Sequence, residues 1–117
     1  MKTDPDEYLP LAPATLHILL SLAGEPMHGY AIMQEVLRQS GGRYNLGPGT
    51  LYDNLQRLMK QRMVEEVAGA REQENSRRRY YRLSTLGRGV LSQEIARLED
   101  VVHEGRMRLR GLKPRRA

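Results

Sequence analysis

The chain contains no cysteine, no tryptophan and no phenylalanine. Without cysteine there is no disulfide, no thiol redox sensor and no Cys-ligated zinc. Without the two larger apolar aromatics, six tyrosines supply every aromatic ring, and the core has to be built on Leu, Ile, Val and Met. No apolar run approaches the roughly 18 residues of a membrane span, and the acidic start around Asp4, Asp6 and Glu7 is unlike a secretory signal, so a cytoplasmic protein is expected. The three histidines, His17, His28 and His103, lack metal-ligand spacing. No nucleophile–base pair or cofactor loop stands out either. The expectation is a protein that is not an enzyme and holds no cofactor or metal.

What is present is basic charge. At 117 residues the chain suits one domain with a modest core. Nineteen Lys and Arg oppose fourteen Asp and Glu, for a formal charge of +5. Lys2 against Asp4, Asp6, Glu7 and Glu25 leaves the first thirty residues acidic, so the remainder carries more than the whole positive excess. A basic body fits an anionic partner, nucleic acid first and a membrane surface second.

Along the chain, residues 1–10 read as a loose polar arm. "APATLHILLSLAGEP" reads as a helix, with Pro13 at its first position, Gly24 at its end and Pro26 preventing continuation. Leu16, Ile18, Leu19, Leu20 and Leu22 leave it almost no polar face, which predicts burial on more than one side. "HGYAIMQEVLRQSGG" predicts a second helix, with Tyr30, Met33 and Leu37 at helical spacing, ended by Gly41 and Gly42. A third helix begins after Gly47, with Pro48 in its first turn. Leu51, Leu55, Leu58 and Arg62 share one sector of it, and the opposite face carries Asp53, Gln56, Arg57 and Lys60, with Thr50 toward the edge.

The period then changes. "MVEEVA" and "RRYYRL" flank the polar "GAREQENSR" and predict a two-stranded hairpin, Tyr81 and Leu83 on one face and Tyr80 and Arg82 on the other. Ser84 or Thr85 caps a last helix reaching about Gly111. Its Leu91, Ile95, Leu98, Val102, Leu109 and Leu112 fall at four–three spacing if Gly105 takes one slot. Such a helix, roughly 26 residues and about 40 Å long, exceeds what so small a domain can cover. A second copy of the chain is expected to cover it, with Leu16, Leu19, Leu20, Leu91, Ile95, Leu98, Val102 and Leu109 at the dimer interface. The fold class is mainly α with a small two-stranded β wing: a winged helix-turn-helix over 11–83, a dimerisation helix over 84–112 and a basic tail over 113–117.

The blocks "APATLHILLSLAGEPMHGYAIMQEV", "LGPGTLYDNLQRLMKQRMVEE" and "RRYYRLSTLGRGVL" resemble, in order and spacing, the PadR family of bacterial transcriptional repressors, in its short branch with a single carboxy-terminal helix. The resemblance covers about residues 10–104. It implies a homodimeric repressor, an operator with two-fold symmetry and a wing that touches the DNA backbone. For multidrug-responsive members it also implies a ligand cavity at the dimer interface, here an expected site for an apolar small-molecule effector. Family members often carry small residues in the places of Asp53 and Asn54, so no base preference carries over. The aromatic residues that sandwich planar drugs in the multidrug branch have no match.

"GPGT" is too short for a Walker loop and lacks its lysine. Alone it is equally a turn that starts a helix. In a winged helix, the N–H groups around Gly49 are suited to a DNA phosphate. Thr50, Tyr52, Asp53, Gln56, Arg57 and Lys60 lie on the helix expected in the major groove. There, Arg57 suits guanine, Gln56 adenine, and Tyr52 and Lys60 phosphate, while Asp53 suits a cytosine amino group or a local cap. Arg77, Arg78 and Arg79 on the wing suit phosphate or a minor groove. The basic tail after Gly105 reads first as a solvated helix end. The partner expected from all this is an inverted-repeat duplex. A winged helix used as a protein-interaction module is the alternative.

Overall fold

The computed structural model describes residues 4–67 and 79–111. Helix α1 spans Pro13–Ser21, α2 Gly29–Gln39, α3 Pro48–Lys60 and α4 Thr85–Leu109. Strand β1 is Met27–His28, β2 Val64–Val67 and β3 Tyr80–Leu83. Ile18, Leu19, Leu22, Ile32, Val36, Leu51, Leu55, Leu58, Val90 and Leu91 form one aliphatic core, closed at one side by Met63, Val64, Tyr81 and Leu83. Pro13 and Pro48 open α1 and α3, where a missing N–H costs nothing because the first turn has no internal acceptor. The sheet is antiparallel in the order β1-β3-β2, so the expected hairpin gains a third, two-residue strand. Met27 pairs with Tyr81 and His28 with Tyr80. In β3, Tyr81 and Leu83 are buried, as the alternation predicts, and Arg82 is exposed. On the open face Arg82 Nε meets Glu65 Oε1 at 3.0 Å, across their own register pair.

Two helices end on one bond pattern, the first where the glycines predict it and the second at the cost of one residue's place in the period. After α2, Gly41 at φ +62° donates to Arg38 O and Gly42 to Leu37 O, a double bond pattern that terminates the helix. The same pattern ends α3. Arg62 N–H donates to Met59 O and Met63 N–H to Leu58 O, which puts Arg62 at φ 64°. Arg62 therefore leaves the apolar sector in which the 3.6 period places it, and it is exposed.

The turn leads straight into the α4 junction. Ser84 Oγ accepts from Gly87 N–H and donates to Arg62 O, while Ser84 N–H donates to Met63 O. Arg88 reaches over to Ala23 O at the end of α1. The "STLGR" block is thus the hinge that seats α4 on the domain. Between the first two helices, His17 shares a 2.8 Å hydrogen bond with Gln39 Oε1, and Gln39 Nε2 donates to Ser21 Oγ.

The stretch expected as a loose arm packs on α4 over its described residues. A short 3-10 turn, Pro5–Tyr8, lies along the helix, and Tyr8, Leu9 and Leu11 join the core. The anchor is Glu94, whose side chain is only 1% exposed. Its Oε2 accepts from Leu11 N–H at 2.8 Å, and both its oxygens take bonds from Arg97. The Arg97 bonds hold the Glu94 carboxyl below the usual carboxylate range, burial opposing and the Leu11 N–H assisting. A lowered folded value stabilises the fold above the ordinary carboxylate pKa and ceases to do so as pH falls through the lowered value. Glu94→Gln should therefore melt below wild type near neutrality, and the gap should close on acidification. Thermal melts across that range check it; a gap constant with pH would show that the charge is not what matters.

Candidate nucleic-acid interface

Helix α3 sorts its residues into two faces. Leu51, Asn54, Leu55 and Leu58 are buried, and Asp53, Gln56, Arg57 and Lys60 are exposed. The helix starts at Gly47, which supplies no side-chain cap, and Gly47, Pro48, Gly49 and Thr50 are all exposed. The first internal bond is Leu51 N–H to Gly47 O, so the Gly49 and Thr50 N–H groups lie beyond the reach of any internal acceptor. A Cβ at Gly47 or Gly49 would meet nothing within 4 Å. The chain's own packing does not demand glycine at either place.

Tyr52 is held more firmly than an outward tyrosine would be. A Cβ at Gly29 would sit 2.3 Å from the Tyr52 hydroxyl, so the ring lies against the start of α2, and a side chain at position 29 would have to displace it. His28, one residue earlier, caps α2 by accepting from Ala31 N–H and meets Tyr80 of β3 edge-on at 5.5 Å. The "HGY" block is thus the point where α2, α3 and the wing converge. Burial pushes the Tyr81 hydroxyl above its ordinary value; Tyr52 and Glu66 add to the shift and Arg79 opposes it. Arg79 is exposed immediately before β3. Arg77 and Arg78 lie outside the described residues.

Asn54 was legible only as a departure from small residues. Its Oδ1 accepts from Thr15 Oγ1 of α1 and from Arg57 Nη2, both at 2.8 Å, and its Nδ2 donates to Thr50 O. The arginine on the outward face is therefore tied to a buried amide, which a periodicity reading has no means to see.

The residues expected at a dimer interface fall into three groups. Leu19 is fully buried and Leu91 nearly so within the single chain, because α1 and the first turns of α4 build the domain core. They have no free surface for a second copy. Leu16, Leu20 and Leu98 are half-buried. Ile95, Val102 and Leu109 remain 42%, 49% and 91% exposed. Two clefts run along this part of α4. One, of about 330 Å³, is lined by Leu83, Leu91, Ile95 and Ala96 together with Arg88, Ser92 and Glu99; the other, of about 490 Å³, by Ile95, Leu98 and Val102 together with Glu99, His103, Arg106 and Arg110. Among the described residues no cluster of His, Asp or Glu is placed to hold a metal ion, and no helix is long and apolar enough to cross a membrane.

Comparison with known proteins agrees with this geometry. Residues 18–93 match the model of the transcriptional regulator PadR-like family. The chain is 38% identical over 94 residues to an uncharacterized 37.1 kDa protein in transposon TN4556 of Streptomyces fradiae. That match covers 78% of this chain but 25% of the other, so the chain spans about a quarter of that relative. It is 34% identical over 93 residues to the transcriptional regulator Rv3488 of Mycobacterium tuberculosis, covering 80% of this chain and 82% of that one. Among solved structures, a PadR family transcription regulator from hypervirulent Clostridium difficile R20291 aligns with a TM-score of 0.64 at 24% identity, over 84% of this chain and 97% of its own; this likeness shows the shared fold. The matched span runs from within α1 through the sheet into α4, and the chain belongs to the PadR-like family of transcriptional regulators.

Proposed function

We propose that the chain is a homodimeric repressor that binds an inverted-repeat operator through α3 and the wing. It pairs through α4, acts in the cytoplasm, and is released by an apolar small molecule or another signal. The observation that carries the reading is the division of α3. Its apolar face is consumed by the core, while Gln56, Arg57 and Lys60 stand exposed beside an uncapped helix start. In a winged helix-turn-helix, that face is the one that enters the major groove. Arg57 suits guanine O6 and N7, Gln56 adenine, and Lys60 phosphate. The Gly49 and Thr50 N–H groups suit a backbone phosphate, which the positive end of the helix dipole favours. Tyr52 is held against Gly29 but is still partly exposed, which leaves it able to touch the backbone beside them. Asp53 repels phosphate and suits a cytosine amino group. Arg79, with Arg77 and Arg78, supplies the wing's charge.

The effector part of the reading rests on the apolar stretch Ile95, Leu98 and Val102 within the clefts along α4, which Glu99 and Arg106 also line. A ligand seated between two copies acts on DNA binding only if it binds the DNA-incompetent geometry better. Saturating ligands that bind the dimer yet never change operator affinity would remove the cleft as a switch.

The test separates reading from gripping. The probes are a duplex that the protein selects from a random-sequence pool and its scrambled counterpart, titrated at several salt concentrations. Arg57→Ala should cost about 1–3 kcal/mol per half-site on the selected duplex and much less on the scrambled one. Replacing Arg78 and Arg79 together should weaken both duplexes alike and flatten the salt slope by about 0.9 for each phosphate that the variant no longer neutralises. If Arg57→Ala weakens both duplexes equally, it is a backbone contact, and the reader lies at Thr50, Asp53 or Gln56.

A further inference from the structure

We propose that Asn54 is a positioning residue for DNA recognition. It holds the Arg57 guanidinium in its reading orientation and ties that orientation to α1 through Thr15. The proposal rests on Arg57 being a base contact and identifies what aims it.

Asn54 sits on the side of α3 that otherwise buries Leu51, Leu55 and Leu58, and it is itself 7% exposed. A buried amide is unfavourable unless its polar atoms are paired. Here the pairing is specific. An amide oxygen has two acceptor positions, and Oδ1 fills them with Thr15 Oγ1 from inside the domain and Arg57 Nη2 from outside. The amide nitrogen donates to Thr50 O at 2.9 Å, fixing the side chain on its own helix. Thr15 is buried as well, on a helix whose neighbouring positions are aliphatic. Its hydroxyl finds its acceptor in Asn54. The three residues therefore make one chain of contacts, running from a buried hydroxyl in α1 to an exposed cation on the outward face of α3.

The chemistry of each group fits aiming better than mere packing. An arginine side chain has many rotamers, and freezing it at a base edge loses that freedom; a bond made beforehand reduces the loss. Spending one of five guanidinium N–H groups on Asn54 leaves the others for guanine O6 and N7. An amide at position 54 also directs the guanidinium without quenching its charge. A carboxylate there would form an ion pair and compete with DNA for the same donors. A bond serving only to join α1 and α3 would need Thr15 and Asn54 but not Arg57.

The closing experiment is a double-mutant cycle on the full chain, using the selected and scrambled duplexes above. Wild type, Arg57→Ala, Asn54→Ala and the double variant are compared, with thermal melts in parallel. Asn54→Ala should lower the selected-to-scrambled affinity ratio about tenfold per half-site. It should change that ratio by less than about twofold when Arg57 is already alanine, since coupled residues are not additive. Thr15→Val, which keeps the side-chain shape but removes the hydroxyl, should move the ratio in the same direction by less, and Thr15→Ser should restore it. If Asn54→Ala does not fold, the Thr15 pair decides by the same comparison. An equal loss with and without Arg57 overturns positioning, as does a lowered melting temperature with an unchanged ratio. An Arg57→Ala variant whose own ratio is unchanged defeats the base-contact reading first and takes this proposal with it.

Discussion

Gly87→Ala should destabilise the protein by about 3 kcal/mol or more, enough to lower its melting temperature by roughly 10 °C. The expectation runs against local propensity, because alanine favours a helix over glycine by about 1 kcal/mol. Packing reverses the sign. A Cβ at Gly87 would lie 2.1 Å from Met63 O and 3.0 Å from Met63 C, which are backbone atoms and not the end of a flexible side chain. Neither side can give way cheaply. Met63 is fixed by the turn that ends α3 and by Ser84 N–H on its carbonyl, and Gly87 N–H is held by the Ser84 cap. Gly49→Ala provides the contrast, since a Cβ there meets nothing within 4 Å. It should leave the melting temperature unchanged or slightly raised while weakening DNA binding, if a phosphate approaches that helix start. Parallel thermal melts and DNA titrations of the two variants check both halves. A Gly87→Ala protein as stable as wild type would mean that the α3–α4 junction is looser than its hydrogen bonds require.

The two glycines show what a sequence discloses and what it withholds. Pro13, Pro48, Gly41 and Gly42 mark ends of the first three helices because their backbone preferences are local, and α4 was legible from its Ser84 cap and four–three spacing. Tyr81 and Leu83 gave away the buried face of β3 by alternation alone. Strand β1 could not be read that way. Two residues have no period, and Met27–His28 becomes a strand only because Tyr80 and Tyr81 arrive beside it. Arg62 misled the helical period for the opposite reason. The termination bonds of α3 override its place on the wheel. Glu94 and Asn54 are polar residues on the apolar side of their helices, each three residues after a core leucine, and composition alone does not say how such a position is satisfied. Both are buried because their partners come from distant parts of the chain, Leu11 in one case and Thr15 in the other. In the candidate site, the outward positions Gln56, Arg57 and Lys60 followed from the four–three spacing of the leucines behind them. The restraint on Arg57, and the Gly29 seat of Tyr52, required the tertiary structure.

Ile95→Asp should convert the protein to a monomer, or to an aggregate, and abolish tight operator binding while leaving weak binding to scrambled DNA. Ile95, Val102 and Leu109 recur every seven residues, a stripe about 21 Å long on α4, and all three remain open in the single chain. A second α4 laid along that stripe would give each a covering surface, whereas Leu91, one turn earlier, is already spent on the domain's own core. An aspartate at the start of the stripe would be buried without a partner on dimerisation. That penalty is several kcal/mol, and it arises in both copies at once. In the single chain the same position is open to solvent, so the fold itself should survive, with helix content and melting behaviour close to wild type at low concentration. Operator affinity should then collapse for a reason unrelated to any DNA contact. Two linked half-sites bind with an effective concentration that separate monomers do not have. Light scattering gives the mass, circular dichroism the fold, and titration of selected and scrambled duplexes the linkage. Leu109→Asp, at the far end of the stripe, should follow the same pattern more weakly. A folded Ile95→Asp dimer of wild-type affinity would move the interface off this face of α4 and leave its clefts to be explained otherwise.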